Sequence, residues 1–321
     1  MITKFIKRIL RRDPMVKHSQ ANHFGAPKRI PKKSHRIDPH LLSKNAVKVT
    51  QTLQQAGYEA FIVGGAVRDL ALGISPKDFD VATNATPEQV QRLFRKARLI
   101  GRRFQIVHVT FFGKGHPEII EVSTFRALLE NAGDHVAESG RILRDNVWGS
   151  QGEDAARRDF TVNAMYYDPA TETVLDYHGG MADMQKKTLR MIGDPAKRYR
   201  EDPVRMLRAI RFSAKTGFAL DADTRAPIAK LGKLLQDVPP ARLFDEILKL
   251  LMSGYSWNAI QGLRDAGLHH GLLPLLDHIL EDKEESKEAT EFVKLALANT
   301  DQRIQSGKSV SAGFLFATLL W

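Results

Sequence analysis

The amino-terminal half of the chain alternates short apolar runs with amphipathic stretches. Apolar residues recur every three or four positions over 41–56 and Gly57 follows, which predicts a helix and its end. The runs 61–63 and 79–82 are short, apolar and flanked by polar or glycine positions, so each predicts a buried strand. Further predicted elements are helices over 67–72 and 87–96, the second capped by Thr86, and strands over 106–112 and 118–125.

The pattern changes in the carboxyl-terminal half. Residues 126–150 contain Gly and Asn with weak periodicity, which predicts a loop or insertion. From Pro203 onward nearly all apolar spacing is helical, and residues 313–321 are apolar enough that we expect the protein to continue beyond them. We predict an α+β protein with four parts: a basic flexible arm (1–40), a small α/β head (41–180), a helical neck (181–238) and a helical body (239–321).

Composition excludes several classes of function. The chain has 321 residues and no cysteine, which excludes disulfide partners, thiolate zinc sites, iron–sulfur clusters and cysteine nucleophiles. No apolar run approaches the ~18 residues needed to span a bilayer. We therefore expect a cytoplasmic protein.

The charge of the chain is concentrated at its amino terminus. The net charge is +11, and residues 1–40 carry eleven Lys and Arg against Asp13 and Asp38. This arm is predicted to attract the polyphosphate backbone of a nucleic acid, and a solubilising extension is the alternative. Residues 1–12 also have apolar residues at helical spacing, so weak contact with an anionic membrane surface is a further alternative.

A glycine pair lies between a predicted strand and a predicted helix. Residues 64–69 read Gly-Gly-Ala-Val-Arg-Asp. Glycines let a phosphate approach backbone N–H groups closely, and a helix N-terminus favours an anion. Arg68, about one turn into the helix, is placed to reach the same phosphate. An ordinary structural turn at Gly64 and Gly65 is the alternative interpretation.

Two carboxylates follow about a dozen residues later. Asp78 and Asp80 are two apart on a predicted strand, so both project to one face while Phe79 faces the core. Carboxylates held that close repel each other, and a divalent cation such as Mg²⁺ relieves the repulsion. The alternative is a chance pair on a solvated strand, and the preceding glycine turn favours the metal site.

Together these two motifs resemble the nucleotidyltransferase superfamily typified by DNA polymerase β. Three more blocks are similar to the class II tRNA nucleotidyltransferase and bacterial poly(A) polymerase family and occur in that family's order. The resemblance covers residues 45–275 and implies a polymerase-β-like head with a small mixed sheet and helices. The blocks are EVSTFR (121–126), RRDFTVNA (157–164) and EDPVRMLRAIRF (201–212).

The resemblance implies that Asp78 and Asp80 bind two Mg²⁺ ions. These ions would activate the RNA 3′-hydroxyl and stabilise the leaving pyrophosphate in an in-line transfer. Glu121 is a candidate third carboxylate, and an ion pair with Arg126 is its alternative role. The resemblance also counts Asp159 with the catalytic acids.

The resemblance further implies how the nucleotide is held. The helix that begins near Pro203 carries arginines three apart, which share one broad face. Asp202 and Arg205 would hydrogen-bond the incoming base, which restricts the base to adenine or cytosine because both offer an amine beside a ring acceptor. The candidate nucleotide-binding residues are Gly64, Gly65, Arg68, Arg157, Arg158, Asn163, Asp202, Arg205, Arg208 and Arg211.

Within the family, three runs resemble the tailing enzymes more than the CCA-adding enzymes. They are 143–154, 197–200 and 239–246, and the basic arm favours the same choice. We expect a template-independent adenylyltransferase that uses ATP and acts on RNA 3′ ends. The alternatives are a CCA-adding or A-adding tRNA nucleotidyltransferase and a non-catalytic RNA-binding protein, against which the intact acid pair argues. His269 and His270 are interpreted as surface or capping residues.

Overall fold

The computed structural model describes residues 25–101, 105–113, 117–128, 147–281 and 287–320. Eight strands in these ranges form one mixed sheet, and two more form a short parallel pair. The strands are β1 (Lys28–Pro31), β2 (Ala60–Val63), β3 (Asp80–Thr83), β4 (Ala97–Ile100), β5 (Ile106–Phe111), β6 (Glu118–Thr124), β7 (Met165–Asp168), β8 (Thr173–Asp176), β9 (Thr188–Leu189) and β10 (Ala219–Leu220).

The order of the large sheet is β1-β8-β7-β2-β3-β6-β5-β4. Every neighbouring pair is antiparallel except β3 and β6, which run parallel at the centre. Strand β3 is buried on both faces, so Val81 and Ala82 are both fully covered although they point in opposite directions. The predictions of strands near 61–63, 79–82, 106–112 and 118–125 are confirmed within a few residues.

Strand β1 corrects the predicted boundary of the basic arm. The sequence analysis ended the arm at residue 40, but Lys28–Pro31 pairs antiparallel with β8 and His35 and Ile37 are buried. The strand was missed because only Ile30 of its four residues is apolar, and because its pairing partner lies more than 140 residues away. The head therefore includes residues 28–37.

Helices cover the sheet in the first part of the chain. The longest of them, α2, packs against β2, β3 and β6 and is capped at its start by the Ser43 hydroxyl. The predicted cap at Thr86 is confirmed, with Gln89 completing a capping box. These helices are α1 (Lys32–His35), α2 (Lys44–Gln55), α3 (Gly65–Ala71), α4 (Pro87–Leu93), α5 (Gln151–Arg157) and α6 (Gly180–Gln185).

The remainder of the described chain is nearly all helical, which confirms the predicted α+β class. Helix α8 lies at its centre and packs against both α11 and α12. A main core runs from the sheet into these helices, and a smaller one lies on the sheet's other face around Phe125 and Tyr166. The helices are α7 (Pro195–Glu201), α8 (Val204–Thr216), α9 (Ala222–Arg225), α10 (Ile228–Leu231), α11 (Pro240–Leu251), α12 (Ser256–Asp265), α13 (Pro274–Glu281), α14 (Lys287–Gln305) and α15 (Ala312–Leu320).

Several predictions fall outside the described residues. They include the amphipathic stretch 1–12 with its proposed membrane contact, most of the predicted loop 126–150, and the 143–146 part of the run that resembles tailing enzymes. None of the described helices combines the length and the apolar character that crossing a bilayer requires.

Candidate active site

The glycine turn lies beside the first acidic residue of β3. Gly64 has φ +74°, a backbone conformation that favours glycine, and Gly65 begins α3. A Cβ at Gly64 would lie 3.4 Å from Arg158 Nη1 and 3.8 Å from Asp80 Oδ2. The turn therefore faces a carboxylate and a guanidinium at once.

The two predicted metal ligands lie at the start of β3. Asp80 is the first residue of the strand and half-buried, whereas Asp78 precedes the strand and is exposed. Phe79 between them is buried, as the alternation predicted. The sequence analysis placed Asp78 inside the strand, and the structure places it in the segment leading into it.

Glu121 lies opposite Asp80 across the parallel ladder. The two residues are register partners of β3 and β6, so their side chains leave the same face of the sheet. Glu121 Oε1 also lies 3.4 Å from His108 Nε2 on β5. The structure thus places the carboxylate of Glu121, the predicted third acid, near Asp78 and Asp80.

Burial and charge raise the pKa of Asp80 to about 6. Burial is the largest cause, Glu121 and Asp78 raise it further by repulsion, and only Arg158 opposes them. A divalent cation would relieve this repulsion, and an all-oxygen donor set is the one that Mg²⁺ prefers. The residues present therefore fit a Mg²⁺ site held by Asp78 and Asp80.

Arg158 is held by a buried pair that the sequence analysis did not identify. Its Nη2 donates to Asp154 Oδ2 at 3.1 Å, and its Nε donates to the Tyr166 hydroxyl at 3.2 Å. Tyr166 in turn donates to Asp154 Oδ2 at 2.6 Å. Burial raises the pKa of Asp154, but Arg158 and Tyr166 outweigh burial and the net shift is downward. These contacts hold the guanidinium so that its third nitrogen, Nη1, lies near Gly64 and Asp80.

The Arg68 guanidinium lies beside the glycine turn and is already bonded within the protein: a Cβ at Gly65 would lie 3.5 Å from Arg68 Nη2. Its guanidinium is buried, with Nε and Nη2 donating to Asp69 Oδ1 and Nη1 donating to Asn163 Oδ1 at 2.6 Å. Lys215 of α8 completes this cluster by contacting Asp69 Oδ2 at 3.1 Å. Buried arginine requires such partners, and this cluster joins Arg68 and Asn163 to α8. Their contact with a nucleotide stays a prediction.

Asp159 is likewise committed to internal bonds. Its Oδ2 accepts from Nε and Nη2 of Arg208, and its Oδ1 accepts from the Phe160 amide and from Asn163. Burial raises the pKa of Asp159, but Arg208 and these bonds outweigh it and lower the pKa to about 2. In this arrangement the Asp159 carboxylate orients Arg208, and its role as a catalytic acid stays a prediction. Arg157, predicted as a nucleotide ligand, donates to the Ala127 carbonyl at 2.9 Å.

The predicted base-reading pair lies at the junction of α7 and α8. Asp202 Oδ2 accepts from Arg242 of α11, whereas Asp202 Oδ1 is shielded from solvent and has no hydrogen-bond partner among the described residues. Arg205 Nη1 donates to the Arg198 carbonyl and to Glu201. On the same helix Arg211 lies 3.6 Å from Glu246 of α11. A buried acceptor without a donor is costly, and a ligand amine would satisfy it.

Comparisons with known proteins identify the family of this chain. Residues 60–190 match the family model described as poly A polymerase head domain, and residues 217–280 match the one described as probable RNA and SrmB-binding site of polymerase A. The chain is 50% identical over 297 residues to poly(A) polymerase I of Escherichia coli, which is 91% of this chain. This chain belongs to the poly(A) polymerase family.

The family also contains CCA-adding enzymes that resemble this chain. The chain is 39% identical over 223 residues to the CCA-adding enzyme of Bacillus velezensis, which is 70% of this chain. The crystal structure of the Bacillus stearothermophilus CCA-adding enzyme in complex with CTP matches 88% of this chain and 82% of that chain, with a TM-score of 0.62 and 27% identity. The chain spans 63% of the length of the Escherichia coli poly(A) polymerase I and 54% of the Bacillus velezensis enzyme.

Proposed function

We propose that this member of the poly(A) polymerase family is a template-independent polynucleotide adenylyltransferase. It adds AMP from ATP to the 3′ ends of RNA. The observation that supports this proposal best is the register of β3 and β6, which places Asp80 beside Glu121. Asp78 lies two residues before Asp80 in the sequence. Three carboxylates near the central pair of strands, beside the Arg158 guanidinium, suit the binding of a metal–triphosphate complex.

The proposed reaction transfers one nucleotidyl group. The 3′-hydroxyl of RNA gives up its proton to solvent and its oxygen forms a bond to the α-phosphorus of ATP. The α–β phosphoanhydride bond breaks, and pyrophosphate leaves with the bridging electron pair. Asp78 and Asp80 are the residues that would hold two Mg²⁺ ions, which supply charge stabilisation at the attacking and leaving oxygens. Arg158, fixed by Asp154 and Tyr166, supplies positive charge for the triphosphate.

The base is read by Asp202 and Arg205 in this proposal. The free Oδ1 of Asp202 accepts a hydrogen bond from the exocyclic amine of the base. Arg205 donates to the adjacent ring nitrogen. Guanine and uracil present the opposite polarity at this edge and are rejected, because a buried polar group would be left unpaired.

The choice of tailing over CCA addition rests on the relatives. Identity to poly(A) polymerase I is 50% over 91% of this chain, against 39% over 70% for the CCA-adding enzyme. We place RNA binding in the helical region after residue 217, where the second family model matches, and in the basic residues of the amino-terminal arm.

A nucleotide incorporation assay tests this function. ATP and CTP are supplied separately, with Mg²⁺, to an unstructured RNA and to a tRNA that lacks its CCA end. We expect extended A-tails on the unstructured RNA, no CTP incorporation, and loss of activity in Asp80→Asn. The matched control is Asp223→Asn, which changes an exposed carboxylate on α9 and should retain activity.

Two other results would replace this proposal. Incorporation of CTP confined to the tRNA would indicate a CCA-adding enzyme with the same acids. Absence of incorporation with either nucleotide, in a chain that still binds RNA, would indicate a non-catalytic RNA-binding protein.

A further inference from the structure

A second group of metal-ligating side chains lies far along the chain from the acids of β3. His269 and His270 are in the connection between α12 and α13, and Glu281 is the last residue of α13. Neither the proposed reaction nor the base-reading pair uses these residues. Each of the three offers a ligand atom, and these atoms all lie within 4.8 Å of one another.

The spacing of these atoms is close to that of a coordinated set. His269 Nε2 lies 3.9 Å from Glu281 Oε1, and the two imidazole centroids are 3.9 Å apart. Zinc binds imidazole nitrogen and carboxylate oxygen at about 2.0–2.2 Å, so two ligands of one tetrahedral ion lie about 3.3–3.5 Å apart. A movement of a few tenths of an ångström at the exposed Glu281 side chain closes the difference.

One imidazole nitrogen of this group lacks any partner. His269 Nδ1 is shielded from solvent and makes no hydrogen bond among the described residues. A neutral imidazole has one nitrogen that must accept a hydrogen bond or bind a cation, and leaving it buried and unsatisfied is costly. A bound ion offers this nitrogen a partner that the described residues do not supply.

The surrounding charge also favours a cation. Asp277 lies one helical turn before Glu281 on α13, and its carboxylate interacts electrostatically with both imidazoles. Arg264 of α12 lies 3.8 Å from Asp277 and holds it in place. A carboxylate beside a ligating histidine is the usual outer partner that orients the ring and raises its basicity.

We propose that His269, His270 and Glu281 form a binding site for one divalent transition-metal ion of the zinc class. Nitrogen donors select such ions over Mg²⁺, which takes oxygen ligands. In a chain without cysteine, a zinc site must be built from imidazole and carboxylate groups. The bound ion joins the α12–α13 connection to the end of α13, and so stabilises the helical region that follows α8.

Zinc binding to the full chain, prepared without a histidine tag, tests the site. Zn²⁺ is titrated by calorimetry in excess Mg²⁺, which occupies the acids of β3. We expect one equivalent of Zn²⁺ to bind, and His270→Gln or Glu281→Gln to weaken binding by at least about tenfold. Both substitutions are at exposed positions and should leave the fold intact.

Two controls separate this site from other metal ligands. His278→Gln removes an exposed histidine of α13 outside the group and should bind Zn²⁺ as the unaltered chain does. Asp78→Asn with Asp80→Asn should also leave zinc binding unchanged. Zinc should raise the midpoint of thermal unfolding of the unaltered chain and not that of Glu281→Gln. Absence of saturable binding, equal binding by His270→Gln, or loss of binding in the Asp78/Asp80 variant would overturn the proposal.

Discussion

Arg242 Nη2 donates to Asp202 Oδ2 across 2.7 Å, and this contact ties α11 to the residue that precedes α8. With Oδ2 engaged, the other oxygen of the carboxylate remains as the free acceptor. A residue 40 positions away therefore fixes which oxygen of Asp202 is left without a partner. If Asp202 reads the base as proposed, the helical region after residue 239 contributes to base selection through this contact.

Removing this contact should weaken nucleotide binding more than it slows chemistry. In Arg242→Ala the carboxylate of Asp202 can rotate, so we expect KM for ATP to rise about tenfold with a smaller change in kcat. Steady-state kinetics with ATP measures both constants. Arg225→Ala, at an exposed position of α9, is the matched control. An unchanged KM in Arg242→Ala would show that Asp202 needs no orientation from α11.

Glu121 should act together with Asp80 on the metal. In Glu121→Gln one negative charge of the group is lost, so we expect activity to fall about tenfold at limiting Mg²⁺ and to recover partly as Mg²⁺ is raised. A Mg²⁺ titration of the incorporation rate tests this. Glu288→Gln on α14 changes an exposed carboxylate and should give the unaltered Mg²⁺ curve. If Glu121→Gln loses the same fraction of activity at every Mg²⁺ concentration, Glu121 does not act through the metal.

The Asp159–Arg208 pair should make stability depend on pH. Because folding lowers the pKa of Asp159 from 3.8 to about 2, its stabilisation is complete above the unfolded value and is lost as pH falls towards the folded one. The shift corresponds to about 2 kcal/mol of unfolding free energy at neutral pH, of which about half is lost by about pH 3.

Urea unfolding of Asp159→Asn measures this contribution. The free energy of unfolding of the unaltered chain should exceed that of the variant by about 2 kcal/mol at pH 7. This difference should decrease as the pH falls. The matched control is Asp194→Asn, at an exposed position where asparagine can also cap the helix. Its free energy of unfolding should differ less from that of the unaltered chain. If the difference in unfolding free energy between the unaltered chain and Asp159→Asn stays constant from pH 7 to pH 3, the ionisation of Asp159 is not its cause.

Arg68 should behave as a structural residue. Arg68→Met removes the partner of buried Asp69 and Asn163, so we expect a loss of about 3–5 kcal/mol in unfolding free energy. Arg92→Met, at an exposed position of α4, should change stability little. Normal stability combined with a raised KM for ATP would instead restore Arg68 as a phosphate ligand.

The burial of Phe79 was predictable because the spacing is local. Strand alternation alone indicates that Phe79 faces the core, but it does not show that Asp78 lies just before the strand. The buried contacts of Arg68 with Asn163 and of Arg208 with Asp159 were not predictable, since these partners lie 95 and 49 residues away in the sequence. Arginines at those positions have the same local pattern whether they contact a nucleotide or a buried carboxylate.

The missed strands have a similar explanation. Strand β4 contains Arg98 between partly buried neighbours and lies at a sheet edge, so its composition resembles that of a basic surface segment. Tyr166 is buried in the smaller core and donates to Asp154, whereas its sequence neighbourhood signals only an apolar run. The only sequence signal for Asp154 was the family-like run 143–154, which did not indicate its bond to Arg158.

The parallel pairing of β3 with β6 has a consequence for tolerance to change. Strand β6 is held on its other side by β5 over six register pairs, so Asp80 and Glu121 are aligned by main-chain ladders on both sides of β6. Side-chain replacements elsewhere in the core lower stability but do not change the register of β3 and β6. A shift of one residue would turn the buried side chains of the moving strand away from the core. The acids can therefore stay in place when side chains at the α7–α8 junction or in the helices after residue 217 are replaced.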